Sequence, residues 1–501
     1  MDMISDFPKD ILQRILYFLS QEDAIRTSVL SKSWRNIWCA RPNLDLSDKI
    51  FKGDKQEFLF FVGNNLQRYR DQRMRLEEFG LRIFLGNYEF VSLLEKRVAT
   101  LKNMGVKEFR LSIYSRRVQR RRRRYVKLPS LVFEAESLQD LHAEGFTLDQ
   151  TSIGRNILCK HLKKLRLEKI EIEDGVFEKI ITSCPLIETM ILKSCKGLTN
   201  IKANNLRRLK HFTFSVIGFP DSPLCSIEIH PPSLETVEIE HANILIHKGA
   251  QFRNLNSVRM NDVKISSVDS FCSCKFPSLK ELALSDCDGL EESIQKSHVF
   301  IDAPNMDSFV YHGFFIPSIS FSTTSREWSS TLSLDFTGAP SSWLPNLHKM
   351  LESLSRSKIS LTICQLCFVY DEVIIQGCLD LVQGIKGGNK PAVVVKKLLL
   401  CGNSSYFSPL LNGLLCICRP RKIGDINYTD SESVLKNLMQ REGGNQDELR
   451  QLWLPDLEEL RLEIYDNNRR KWDPTSFANL PEYEEGKRIR TRFALKWREN
   501  L

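Results

Sequence analysis

The chain has 501 residues, with 42 % hydrophobic, 27 % charged and 9 % aromatic side chains. This is ordinary for a soluble globular protein and long enough for several domains or one extended repeat array. The formal net charge is +9, but seven arginines between Arg116 and Arg124 supply most of it, so the chain is not broadly basic. No window approaches the roughly 18 consecutive apolar residues of a membrane span. The start, Met1-Asp2-Met3-Ile4-Ser5-Asp6, is acidic and lacks the basic and apolar regions of a secretion signal, so an intracellular setting (nucleus or cytoplasm) with no membrane role is expected.

The first forty-odd residues carry three short helical patterns with almost no loop between them. Ile11, Leu12, Ile15, Leu16 and Leu19 fall on one face of a 3.6-residue helix, with Pro8 suited to its first turn. Ser20-Gln21-Glu22-Asp23 is a candidate capping box for a second helix containing Ala24, Ile25, Val29 and Leu30. Ser31 is placed to cap a third helix with Trp34, Ile37 and Trp38 on one side, ended by Arg41-Pro42. So small a unit buries little surface by itself, yet it is rich in large apolar residues. That combination predicts a docking module. Residues 45–75 read as a helical linker.

From Leu76 onward the pattern L-x-x-L-x-L recurs. It appears at Leu76-x-x-Phe79-x-Leu81, Val106-x-x-Phe109-x-Leu111, Leu162-x-x-Leu165-x-Leu167, and Ile187-x-x-Met190-x-Leu192-x-x-Cys195. Further copies begin at Leu138, Leu209, Leu234, Leu255, Leu279 and Met306, with late ones at Val395 and Leu457. Between Leu138 and Met306 successive copies start 21–27 residues apart, inside the leucine-rich-repeat range of about 20–29. Such a repeat predicts a short strand whose apolar residues point inward. A Cys or Asn after it satisfies backbone groups at the turn, and the strands stack into a parallel sheet on the concave face of a solenoid. The outward positions, such as Lys164, Arg166 and Glu168, or Thr236, Glu238 and Glu240, or Glu281, Ala283 and Ser285, would then form a recognition surface. The fold class is therefore α/β. The expected layout is a three-helix module at 1–44, a helical linker at 45–75, a repeat array at 76–465 that is irregular from about 313 to 390, and a polar, basic tail at 466–501.

The order F-P-x-x-I-L-x-x-I-L-x-x-L, followed by D-A-I-R-T-S-V-L-S-K-x-W-R-x-x-W, resembles the F-box, and the wording around Arg26–Trp38 is closest to the plant-type F-box/leucine-rich-repeat proteins. Phe7 stands where that family usually has leucine; both fill an apolar pocket. The resemblance implies docking to a Skp-family adaptor, and through it to a cullin and a RING protein. Pro8, Ile11, Leu12, Ile15, Leu16, Leu19, Val29, Leu30 and Trp34 are the positions it carries over as the adaptor contact. The repeats would hold an unknown protein substrate for ubiquitination. An F-box scaffold acting outside a ligase is the alternative.

No phosphate-binding loop, H-E-x-x-H zinc helix or G-x-S-x-G nucleophile elbow is present. His142, His161, His211 and His241 each fall near a repeat strand with no catalytic partner in evidence, so neither catalysis nor a cofactor is expected. The fourteen cysteines read as reduced, and the close pairs Cys272/Cys274, Cys364/Cys367 and Cys416/Cys418 as small buried residues rather than metal ligands. Arg116, Arg117 and Arg120, Arg121, Arg122, Arg123 and Arg124 read as a solvated loop between two repeats, able to carry a nuclear-import signal or meet an acidic partner. Nucleic-acid binding lacks supporting aromatic residues there.

Overall fold

The computed structural model describes residues 7–19, 21–27, 29, 32–49, 51, 53–84, 90–114, 126–153, 156–216, 223–290, 298–336, 343–365, 392–401, 407–427, 450–466, 469–476 and 490–498. The arginine run, Leu30, and the proposed caps Ser20 and Ser31 lie outside them. The chain divides into two compact units, Met1–Leu245 and Ile246–Leu501. Among the described residues no helix is long and apolar enough to cross a membrane.

The first unit opens with helices α1 (Lys9–Phe18), α2 (Gln21–Thr27) and α3 (Lys32–Cys39). They share a small core of Leu12, Leu16, Ala24, Trp34 and Ile37, with Leu19 and Trp38 packed against it. Next comes the strand Asn43–Ser47, and this departs from the expected helical linker. Its alternation buries Leu44 and Leu46, and it pairs in parallel with Glu78–Phe84. Helix α4 (Lys55–Asp71) follows, opened by a capping box in which Asp54 accepts from the Glu57 N–H (2.8 Å) and Glu57 accepts from the Asp54 N–H (3.0 Å). The parallel sheet therefore begins at Asn43, one strand and one helix earlier than the repeat pattern suggests.

From there the sheet is a parallel ladder without slippage. Strands Asn43–Ser47, Glu78–Phe84, Glu108–Tyr114, Asp140–Glu144, Lys164–Glu168, Thr189–Lys193, His211–Ser215 and Thr236–Leu245 pair in turn. One buried row runs Leu44, Phe79, Phe109, Leu141, Leu165, Met190, Phe212, Val237. The next runs Leu46, Leu81, Leu111, Ala143, Leu167, Leu192, Phe214, Ile239. These are the two inward positions of each L-x-L copy. Any shift of register by one residue would turn both rows outward, so burial fixes it.

Two backbone devices recur. The carbonyl just ahead of each strand accepts two consecutive N–H groups from the next: Lys107 from Gln139 and Asp140, Gln139 from Lys163 and Lys164, Lys163 from Glu188 and Thr189. Just past the strand a residue takes a left-handed conformation, Gly145, Lys169 and Ser194, and His241 does so within the longer strand Thr236–Leu245. At Gly145 a side chain is excluded, because a Cβ there would lie 2.2 Å from the Ile113 carbonyl oxygen. Cys195, at the expected turn position, points its thiol at the Leu167 carbonyl (3.3 Å). The return segments vary: α5 (Phe90–Asn103), α6 (Asp174–Ser183), or short 3-10 turns at Ser130–Val132 and Gln150–Ile153.

The second unit repeats the scheme through Ser257–Ile265, Glu281–Ser285, Ser308–Gly313, Ser329–Phe336, Lys358–Gln365, Lys397–Cys401 and Lys422–Asn427. Its buried row is Met260, Leu284, Tyr311, Leu332, Leu361, Leu398, Ile423. Within the region expected to be irregular, the strands Ser308–Gly313, Ser329–Phe336 and Lys358–Gln365 keep register, with the helix Trp343–Ser353 on the return between the last two, while residues 366–391 lie outside the described residues. After Asn427 the parallel order ends. Leu457–Asp466 reads as a late repeat copy in the sequence, yet it forms an antiparallel hairpin with Lys471–Thr475. Arg490–Trp497, expected in a polar tail, pairs antiparallel with both Leu457–Asp466 and Lys422–Asn427. Its aromatic residues explain the difference. Phe493 is buried, and the Trp497 indole donates to the Pro420 carbonyl (2.7 Å), lies edge-on to buried Trp453 and is covered by Arg419 (4.9 Å).

Candidate functional site: the N-terminal helices and the sheet face

Helix α1 is apolar on two adjacent stripes. Leu12, Leu16 and Leu19 turn inward, where Leu12 and Leu16 meet Trp34 and Ala24. Ile11, Ile15 and Phe18 repeat at steps of four and three residues along the other stripe, with Phe7 just ahead of the helix. These stay in contact with solvent: Phe7 is 47 % exposed, Ile11 45 %, Ile15 37 %, Phe18 75 %, and Val29 after α2 83 %. The nine positions carried over as an adaptor contact differ in exposure. Leu12, Leu16 and Trp34 lie in the helical core. Pro8, Ile11, Ile15 and Val29 are exposed, Leu19 is half-buried, and Leu30 lies outside the described residues. Phe18, missed in the sequence reading, belongs with the exposed stripe; its spacing from Ile11 and Ile15 is the signal that could have found it.

The module is held to the first strands by polar bonds. The buried Arg41 guanidinium donates to the Leu16 carbonyl in the last turn of α1 (3.3 Å), where a helix end favours positive charge. Burial pushes the Arg41 pKa down. From α4, the Tyr69 hydroxyl donates to the Arg41 carbonyl (2.8 Å) and Arg68 to the Cys39 carbonyl (3.3 Å). Burial raises the Tyr69 pKa. On the outer side of α1, the Tyr17 hydroxyl donates to the Glu78 carboxylate; that bond, helped by burial, pushes its pKa up to about 12.

The outward face of the first unit's sheet is charged and largely self-neutralised. Arg82 pairs with Asp45 (3.2 Å), Arg110 with both Glu78 and Glu108 (2.6 Å each), and Lys164 with Asp140 (3.6 Å). Among the described residues, His142, Glu144 and Glu168 place ligand atoms within 4.8 Å of one another. Both carboxylates already have a cation: Lys169 on Glu144 (2.6 Å) and Arg166 on Glu168 (2.5 Å). Burial, then Arg166, pushes the His142 pKa down. The carboxylates are held in an ion-pair network, and His142 Nε2 is buried without a hydrogen-bond partner among the described residues. His211 bonds Thr236 across the strands (2.9 Å), a structural role. The expected outward residues Lys164, Arg166, Glu168, Glu238 and Glu281 are exposed or half-buried as the alternation requires.

Comparisons with known proteins agree with this geometry. Residues 4–46 match the family model of the F-box domain, and residues 94–219 match the leucine-rich repeats of the FBD-associated F-box protein At5g56370 family. Three similar proteins of Arabidopsis thaliana are the F-box/FBD/LRR-repeat protein At5g44980, the putative F-box/LRR-repeat protein At3g18150, and the F-box protein At3g59150. The first is 28 % identical over 48 % of this chain and 55 % of its own length. The second is 30 % identical over 48 % of each, and the third 23 % identical over 63 % of this chain and 66 % of its own length. The chain spans about half the length of the first two. It carries an F-box at its N-terminus, followed by leucine-rich repeats, and in both is similar to the plant F-box/leucine-rich-repeat proteins.

Proposed function

We propose that this protein is the substrate-recognition subunit of an SCF-type ubiquitin ligase, acting in the nucleus or cytoplasm. The three-helix F-box docks on a Skp-family adaptor, which links it to a cullin and a RING protein. The repeats form a solenoid whose concave sheet face holds a target protein for ubiquitination and degradation. The observation that carries this reading is the exposed stripe Phe7, Ile11, Ile15 and Phe18 on an F-box helix whose core is already filled by its other stripe. Covering exposed apolar area gains on the order of 25 cal/mol per Å², so the stripe favours a partner that caps it. No side chain of this protein needs to do chemistry. Holding a target lysine beside a charged ubiquitin-conjugating enzyme raises its effective concentration, and that is the mechanism.

The test is co-purification of the full chain with a Skp-family adaptor and a cullin. An Ile11→Asp, Ile15→Asp double variant should lose the adaptor while its circular dichroism stays unchanged, since both residues are exposed; loss of hot-spot contacts typically costs about 2 kcal/mol or more each. Leu16→Asp is unsuitable because it would place a charge in the helical core. Adaptor binding retained by the double variant would refute the docking face. Adaptor present with cullin absent would reassign the protein to a role outside the ligase.

A further inference from the structure

In the second unit, three neighbouring strands carry an acid and two thiols in one row. Asp335 is the register partner of Cys364, and Cys364 is the register partner of Cys401. The strands are parallel, so register partners leave the sheet on the same side, about 4.8 Å apart. Cys401 is exposed and Cys364 half-buried, so the pair is open to solvent. Asp335 is buried, with His312 Nε2 3.6 Å from its carboxylate, and the other His312 nitrogen lies 3.2 Å from Asp286.

We propose that Cys364 and Cys401 form a bidentate dithiol site for trivalent arsenic, as arsenous acid or a monosubstituted arsenical.

The local charge selects this ligand over other thiol chemistry. Burial first, then Cys401 and Asp335, push the Cys364 thiol up to about 11, against a smaller lowering by Ser333. A raised pKa disfavours the Cys364 thiolate, and with it attack on a disulfide from this sulfur. A monovalent soft cation held by two thiolates would leave a net negative charge beside the Asp335 carboxylate. A zinc ion wants four converging ligands, and among the described residues only the His142 group converges to within 4.8 Å. Trivalent arsenic asks for two sulfurs and adds no charge. Two S–H bonds and two As–O bonds break, two As–S bonds form, and two water molecules leave. Arsenic stays trivalent, so no oxidant or reductant is needed, and its third valence keeps a hydroxyl or aryl group.

The experiment uses the reduced full-length chain and phenylarsine oxide, read by intact mass, peptide mapping and loss of titratable thiols. The first equivalent should bridge Cys364 and Cys401 and be released by a dithiol but not by a monothiol. Cys401→Ser and Cys364→Ser should each weaken binding of that first equivalent by about tenfold or more, because the chelate is lost. Cys367→Ser and Cys159→Ser should bind as the unaltered chain does. Cys401→Ala, at the exposed end of the row, gives a second variant whose fold is checked by circular dichroism. Undiminished binding in a folded Cys401 variant, or a bridge mapped to Cys364 and Cys367, would overturn the proposal. So would a Cys364–Cys401 disulfide formed by oxidised glutathione at pH 7 in a chain that takes up no arsenical.

Discussion

The sheet faces of the two units are built on the same inward rows and differ in what they present outward. The first unit shows acids and bases in alternation: Asp45 with Arg82, Glu78 and Glu108 with Arg110, Asp140 with Lys164, Glu144 with Lys169. The central strands of the second unit show more hydroxyls and a thiol, Ser308, Ser329, Thr331, Ser333, Ser360, Thr362 and Cys364, beside fewer charged groups such as His312 with Asp335. Parallel register brings like positions side by side in both, so the contrast belongs to the x positions of the motif and not to the backbone. The inward residues hold the array together. The outward residues are free to differ, and a face of paired charges selects partners by complementary potential, whereas a face richer in small hydroxyls offers close hydrogen bonding.

This contrast can be broken at several strengths. The largest effect is expected from an inward rung. Leu165→Ala removes a fully buried side chain between Leu141 and Met190 and should cost about 2–5 kcal/mol, seen as a lower denaturation midpoint. Gly145→Ala comes next, since the left-handed backbone and the Ile113 carbonyl leave no room for a methyl group. A loss of about 1–3 kcal/mol is expected, and an unchanged midpoint would mean that the turn relaxes. Outward changes should be much milder. Arg110→Ala should cost about 1 kcal/mol or less, shrinking further in high salt, because the pairs it makes are only partly buried. Tyr17→Phe tests one tie between module and sheet. The folded pKa is raised from 10 to about 12, so the contribution of the tie is complete below pH 10 and is lost as pH rises through about 12. The difference in thermal stability between Tyr17→Phe and the unaltered chain should vanish over that window. The smallest change is expected at Ser330, a buried hydroxyl in the inward row of the second unit, bonded to Ser357 Oγ at 2.7 Å. Ser330→Val should fall within about 1 kcal/mol of neutral, because Ser357 keeps the Leu354 carbonyl at 2.7 Å.

The inward rows were readable from the sequence because each is set locally by a two-residue alternation. The helices of the module follow from a different local signal, the 3.6-residue spacing of their apolar residues. What escaped depends on partners far along the chain. Asn43-Leu44-Asp45-Leu46-Ser47 has only two apolar residues and becomes a strand because Glu78–Phe84 is there to pair with it. Arg490–Trp497 looks like a basic tail until Phe493 and Trp497 find Ile423 and Pro420. Of the candidate docking residues, the sequence revealed that the helix was apolar but not which stripe was spent on the core. That split follows from where Trp34 and Ile37 of α3 come to rest. Cys364 was paired in sequence with Cys367, whereas its neighbour in the sheet is Cys401 on the next strand.

The carbonyl that accepts two N–H groups at the head of each strand has an evolutionary consequence. The return path to the next strand may be a full helix, as with α5, or a single 3-10 turn, as at Ser130–Val132, yet in both cases the chain re-enters the sheet through the same pair of bonds. Length is unconstrained on the return path and fixed at the point of re-entry. Segments can therefore be gained or lost on one side of such an array without disturbing the order of residues on the other. A lineage that duplicates and diverges these genes can vary the two surfaces independently.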